Sequence, residues 1–220
     1  MLSREIVITD DGSHSLFVSE LNEHYHSTHG ALQESEHVFM RNCLDFADSK
    51  ELSIFEVGFG TGLNALLTML RAEQKGLKVH YHAIELYPLK PEEFHALNYS
   101  GLVSPAYETL FEDLHVSKWD EEVSITPYFS LLKHHEDLLK WNPTSMYDLV
   151  FFDAFAPEKQ PDLWSEDVFI NFFKSMKPGG ILSTYCCKGI VKRAMKTAGF
   201  RVTKKPGPPG KREIVVAFKD

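Results

Sequence analysis

A chain of 220 residues with 43% hydrophobic and 25% charged side chains has the size and mixture of one compact domain with a full core, which disfavours two separate domains. No stretch approaches the roughly 18 apolar residues of a membrane span, and Met1-Leu2-Ser3-Arg4-Glu5 opens no apolar leader, so membrane insertion and secretion are disfavoured and a cytoplasmic protein is expected. The net charge is −8, the three cysteines include the adjacent Cys186 and Cys187, and no Cys or His cluster has metal-ligand spacing, so neither a disulfide framework nor a metal site is expected.

Glu5 to Thr9 and Ser15 to Ser19 read as two strands joined by the turn residues Asp10-Asp11-Gly12-Ser13, an N-terminal hairpin. A helix is predicted over 32–46. Residues 1–50 thus read as an extension packed on a core spanning 51–220. In that core, strands are predicted at 52–57, 78–85, 126–133, 147–152, 180–185, 200–203 and 213–218, and helices at 63–73, 91–98, 165–176 and 190–198, the last stopped by Gly199. The stretch 100–123 fits more than one arrangement. Alternating strands and helices specify an α/β fold with a mostly parallel, seven-stranded sheet, and a hairpin-like finish in such a sheet marks the Rossmann-like class I methyltransferase arrangement, distinct from an ordinary dinucleotide fold.

The run Glu56-Val57-Gly58-Phe59-Gly60-Thr61-Gly62-Leu63-Asn64 is a buried strand, a glycine turn and a helix start. Glycines let the backbone approach a ligand, and Thr61 and the helix N–H groups can hold a carboxylate. Leu63 occupies the place of the last glycine in the dinucleotide fingerprint G-x-G-x-x-G. A sulfonium amino acid has no pyrophosphate to cradle and tolerates the difference, so S-adenosylmethionine is the expected cofactor, with Glu56, Gly58, Gly60, Thr61, Gly62 and Asn64 around it. Glu85, ending the second core strand, is placed to accept hydrogen bonds from both ribose hydroxyls. Asp137 suits either the adenine amino group or a helix N-cap. Asp153 ends the fourth core strand in an apolar loop with Phe152, Phe155 and Pro157, where a carboxylate is costly unless used, which makes it the candidate catalytic residue as well as a cofactor contact.

These residues, with Asp11-Gly12-Ser13, the segment from Tyr25-His26-Ser27 to Val38-Phe39, Trp164 and Gly210-Lys211-Arg212-Glu213, give the chain its resemblance to the methyltransferase domain of the MnmC-type tRNA 5-methylaminomethyl-2-thiouridine biosynthesis enzymes, in stand-alone form. The resemblance covers most of the chain. It implies methylation of 5-aminomethyl-2-thiouridine at the tRNA wobble position, and a separate oxidase or modification enzyme supplying that amine. Ala154 and Glu136 stand where bifunctional relatives commonly show Gly.

Asp153 would then orient the amine and take its proton while Phe155 and Pro157 shape the pocket. Tyr185 is a candidate for base contact and equally a core aromatic. From Lys174 to Asp220 the chain carries +10 against −18 elsewhere, which fits an anionic partner such as the tRNA anticodon loop, or solvated lysines on amphipathic helices. Lys188, Lys192, Arg193, Lys211 and Arg212 are the candidate phosphate contacts. Three alternatives stay open: a methyltransferase for a small amine or protein, an aminopropyltransferase, and a non-catalytic protein that binds an adenosyl ligand.

Overall fold

The computed structural model describes residues 3–143 and 145–220. Strands β1 (Arg4–Ile8) and β2 (His14–Val18) pair antiparallel, and a two-residue β3 (Glu23–His24) lies on the other edge of β2. The turn between β1 and β2 also caps the next element. The Asp11 carboxylate accepts the N–H groups of Ser13 and Gln33, each at 3.0 Å, and Ser13 Oγ accepts the Ala31 N–H at 3.1 Å. That fixes the start of α1 (Ala31–Ser35).

The single helix predicted over 32–46 is instead α1, a π-helical stretch at Glu36–Arg41 and a 3-10 turn at Leu44–Phe46. Its carbonyls find side-chain donors: Ser183 Oγ donates to Val38 O and Asn42 Nδ2 to His37 O, both at 2.8 Å. The irregular winding buries Val38, Phe39, Met40, Cys43 and Leu44 together in the core.

The core continues as β4 (Glu51–Val57), α2 (Leu63–Lys75), β5 (Lys78–Ile84), α3 (Pro91–Phe94), α4 (Tyr99–Val103), α5 (Glu108–Val116), β6 (Val123–Thr126), β7 (Phe129–His134), β8 (Tyr147–Phe152), α6 (Glu166–Ser175), β9 (Met176–Thr184), α7 (Gly189–Thr197), β10 (Arg201–Pro206) and β11 (Glu213–Phe218). The sheet order is β10-β11-β9-β8-β4-β5-β7-β6. It has eight strands, where seven were expected. The strand predicted over 126–133 is β7, which starts at Phe129; the additional strand is β6, which pairs with β7 antiparallel across a turn at Pro127, a residue with no N–H for the ladder. The stretch 100–123 resolves into α4, a 3-10 turn, α5 and β6. The helix predicted over 91–98 stops at Phe94, since Asn98 turns toward the N-terminal hairpin, accepting the His14 N–H at 2.8 Å and donating to Gly12 O at 2.9 Å. Strand β9 begins four residues before the predicted 180, with a register shift opposite Tyr147 and Leu149.

Both faces of the sheet are covered, so β8 is apolar on both sides: Phe151 meets Phe39 of the N-terminal segment (5.2 Å between centroids), and Phe152 meets Phe169 of α6 (5.0 Å). Strand β11 runs antiparallel between β9 and β10, while β9, β8, β4, β5 and β7 are parallel. From β4 the chain winds first to β5 and β7 and then, in the other direction, to β8 and β9, which opens a crevice beyond the carboxyl ends of β4 and β8.

Candidate active site

Val57 and Phe152 are register partners at the ends of β4 and β8, so the residues that follow, Gly58 and Asp153, face each other across the crevice. Gly58 has φ +84°, and a Cβ there would lie 3.1 Å from the Asp153 carbonyl oxygen, which explains glycine at this point of closest backbone approach. The turn is then held from β5: the N–H groups of Gly58 and Phe59 bond Ile84 O at 3.0 and 3.2 Å. Next along β5, Glu85 accepts the Gly60 N–H on one oxygen (3.0 Å) and the Tyr87 N–H on the other (2.8 Å). A cavity of ≈ 680 Å³ opens around these groups.

At the floor, Asn64 of α2 donates through Nδ2 to Glu56 Oε1 (2.8 Å) and to Asp153 Oδ2 (2.9 Å). Asn64 Oδ1 and Glu56 Oε2 are buried acceptors without a partner. Burial raises the Asp153 pKa to about 7; the nearby Glu34 charge adds to the rise, and the Asn64 hydrogen bond and Lys211 oppose it. Glu56 is pushed well above its ordinary value, chiefly by burial, against its hydrogen bond from Asn64.

The N-terminal segment closes the cavity from above. Tyr25 packs edge-on against Phe155 (5.0 Å), and its hydroxyl accepts Arg4 Nε at 2.9 Å. His26 Nε2 and Thr61 Oγ1 share a hydrogen bond at 2.8 Å, and burial holds the imidazole at a pKa of about 4, hence neutral at pH 7. The far wall is tied by Trp164 Nε1 donating to Phe155 O (2.8 Å), Gln160 Oε1 accepting the Phe155 N–H (3.1 Å), and Tyr185 Oη donating to Ala154 O (2.8 Å).

Of the residues singled out in the sequence, Glu56, Gly58, Gly60, Thr61, Asn64, Glu85, Asp137, Asp153, Phe155, Tyr185 and Lys211 line this one cavity. Gly62, Pro157, Lys188 and Arg212 do not. Gly62 has a packing reason for lacking a side chain, since a Cβ there would lie 2.8 Å from His115 Nε2. Lys188 pairs with Glu158, and Arg212 is exposed on the β10–β11 loop. Lys211 was expected to face phosphate, but its ammonium turns inward onto Glu34. The Asp137 carboxylate accepts the Leu139 N–H at 3.0 Å and so holds its own turn while lining the cavity. Sequence reasoning from spacing missed the contribution of Tyr25, His26 and Glu34; the only signal was that the family resemblance ran through their segment. No group of three or more metal-ligating side chains is brought together among the described residues, and none of their helices is long and apolar enough to cross a membrane.

The antiparallel β11 next to the parallel strands, the glycine turn after β4 and the acid at the end of β5 define a class I S-adenosylmethionine-dependent methyltransferase fold. The cavity fits that donor: Glu85 keeps acceptor capacity beside the turn, and Asn64 Oδ1 is a buried acceptor without a protein partner. Residues 105–220 match the family model described as S-adenosyl-L-methionine-dependent methyltransferase, and the chain belongs to that family. It is 33% identical over 86% of its length to the tRNA 5-methylaminomethyl-2-thiouridine biosynthesis bifunctional protein MnmC of Chromobacterium violaceum, and 32% identical over 96% to that of Burkholderia thailandensis. The chain spans about a third of the length of these relatives, 31% and 34%. Among solved structures it is similar to MNMC2 from Aquifex aeolicus, with a TM-score of 0.78 and 29% identity over 98% of this chain and 70% of that one. Spermidine synthase from Thermotoga maritima, at 14% identity and a TM-score of 0.63 over 100% of this chain and 70% of its own, shares the fold.

Proposed function

We propose that this chain methylates the exocyclic amine of 5-aminomethyl-2-thiouridine at the wobble position of tRNA, giving 5-methylaminomethyl-2-thiouridine, and that it works in the cytoplasm on an amine made by an oxidase or other modification activity lying outside these residues. The similarity to MnmC proteins of tRNA 5-methylaminomethyl-2-thiouridine biosynthesis supports this acceptor. The observation that carries the chemistry is Asp153, a buried carboxylate hydrogen-bonded to Asn64 between the glycine turn and the aromatic pair Tyr25 and Phe155.

Bound in this cavity, S-adenosylmethionine supplies an electrophilic methyl group on a sulfonium. Glu85 would hold the ribose hydroxyls, Asp137 the adenine amino group, and the Gly58–Asn64 turn with Glu56 the amino-acid end. Asp153 receives the acceptor as its ammonium ion and takes one proton from it, which frees the lone pair. The amine nitrogen then forms the N–C bond as the C–S bond breaks, with the bonding electrons remaining on sulfur and the surplus proton passing through Asp153 to water. Phe155 and Tyr25 exclude water, and alignment supplies most of the rate. Incubation with labelled methyl donor and bulk tRNA from cells lacking the modification should label the wobble nucleoside. Label entering only a small amine or protein, or donor binding without transfer to that tRNA, would refute the assignment.

A further inference from the structure

The cavity already contains an ammonium group, and it is the protein's own. Glu34, on α1, is 6% exposed, and its Oε2 accepts the Ser27 N–H at 2.8 Å. Its Oε1 is met by the ammonium of Lys211, which reaches in from the loop between β10 and β11. The same Nζ lies 4.0 Å from the centroid of the Tyr185 ring. That ring is fixed by its hydroxyl bond to Ala154 O, one residue from Asp153. A carboxylate on one side and an aromatic face on the other are the two features by which proteins recognise an alkylammonium ion.

We infer that Glu34 and Tyr185 form the acceptor's ammonium-recognition site next to Asp153, and that Lys211 occupies this site as an internal stand-in until the acceptor amine displaces it. The inference rests on the proposed amine methylation.

Three observations support displacement over a purely structural ion pair. Glu34, Asp153, Tyr185 and Lys211 line one continuous cavity, so the ion pair sits in the space where an acceptor must enter. Apart from these two contacts of its ammonium, Lys211 is held at its base: its N–H donates to Pro208 O at 2.9 Å in the Pro- and Gly-rich turn, while its side chain is long, flexible and 29% exposed. Glu34, by contrast, is fixed, 8% exposed at its side chain, and needs a positive partner at all times. An incoming alkylammonium replaces one cation by another, so the buried carboxylate stays paired while the acceptor enters, and the released lysine moves into water. An acceptor without a cationic amine offers no such exchange, so Glu34 selects against it.

The test uses the full chain, tRNA bearing 5-aminomethyl-2-thiouridine, and ethylammonium as a small probe. Glu34→Gln should raise the KM for tRNA at least tenfold while leaving the affinity for S-adenosylmethionine within twofold, which also reports that the variant is folded. Lys211→Met, which removes the competing cation, should lower the concentration of ethylammonium needed to inhibit. In the wild type, brief acetylation followed by mass spectrometry should find Lys211 more reactive when ethylammonium is present, a readout that needs no turnover. An unchanged KM in Glu34→Gln, or Lys211 acetylation indifferent to ethylammonium, overturns the inference. If tRNA is never methylated yet ethylammonium still exposes Lys211, the ammonium site stands and only the tRNA acceptor falls.

Discussion

Asp153 illustrates how one carboxylate is made both useful and costly. Its pKa of about 7, set first by burial, means that both the base and its protonated form are populated near neutral pH. In the proposed role, kcat/KM should rise as pH increases through about 7. Asp153→Asn should abolish that limb and lower kcat by about two orders of magnitude or more; full turnover with the same pH profile would remove Asp153 from the chemistry. The stability effect has the opposite sign. Between the ordinary value of 3.8 and about 7 the folded chain binds the proton and the unfolded chain does not, so this group's contribution to stability falls as pH rises across that window. Urea denaturation at pH 8 should therefore find Asp153→Asn more stable, by up to about 4 kcal/mol, and at pH 3 nearly equal to the parent. Glu85 is the second residue-scale test. Glu85→Gln keeps the shape but gives up one acceptor needed by the Gly60 or Tyr87 N–H or by the ribose, and calorimetry should show donor affinity weaker by about tenfold or more. An unchanged Kd would place the ribose elsewhere.

At the scale of elements, the turn between β4 and α2 and the turn after α2 make a useful contrast. Gly58 and Gly76 both have positive φ, +84° and +61°, so alanine is strained at either, by about 1 kcal/mol. Only at Gly58 does a Cβ meet rigid backbone, the Asp153 carbonyl; at Gly76 nothing lies within 4 Å. Gly58→Ala should therefore both destabilise the protein and weaken donor binding, whereas Gly76→Ala should do only the first. Equal donor affinities in the two variants would argue against a ligand-shaped turn. The same scale explains Lys133 of β7, which is fully buried yet donates to the carbonyls of Leu114 and His115 at 2.8 and 2.6 Å, closing the end of α5. His115 of that helix in turn donates to Thr61 O at 3.2 Å and supports the glycine turn from behind.

For the whole molecule, the N-terminal segment is part of the core and part of the site at once. Leu16, Val38, Phe39, Met40 and Cys43 are 0–1% exposed, and Tyr25, His26 and Glu34 line the cavity. Deleting residues 3–48 should leave a chain that fails to fold and binds no S-adenosylmethionine; a folded, donor-binding remainder would show that the core stands alone. The basic C-terminal quarter is less free than its sequence charge suggests, because Lys177, Lys188, Arg201, Lys204 and Lys211 each pair with an acid. If tRNA binds on this side, its affinity should fall with salt, and charge reversal at Lys192, Arg193 and Arg212 should flatten that dependence more than reversal at Lys188. Equal effects would point to another face.

The sequence by itself determined the α/β class, the glycine turn and the acids at the ends of β5 and β8, because strand–turn–helix periodicity and glycine chemistry are local and leave a local record. It also marked the antiparallel finish, through the Pro- and Gly-rich loop before β11. It did not specify that the helix predicted over 91–98 stops at Phe94, that 32–46 winds in three ways, or that Lys211 points inward. Those outcomes depend on partners far away in the chain: Ser183 for Val38, Asn98 for the hairpin turn, Glu34 for Lys211. Only tertiary structure decided them, since a buried carbonyl or carboxylate takes whichever donor the fold brings to it, and spacing along the chain does not record which one that will be.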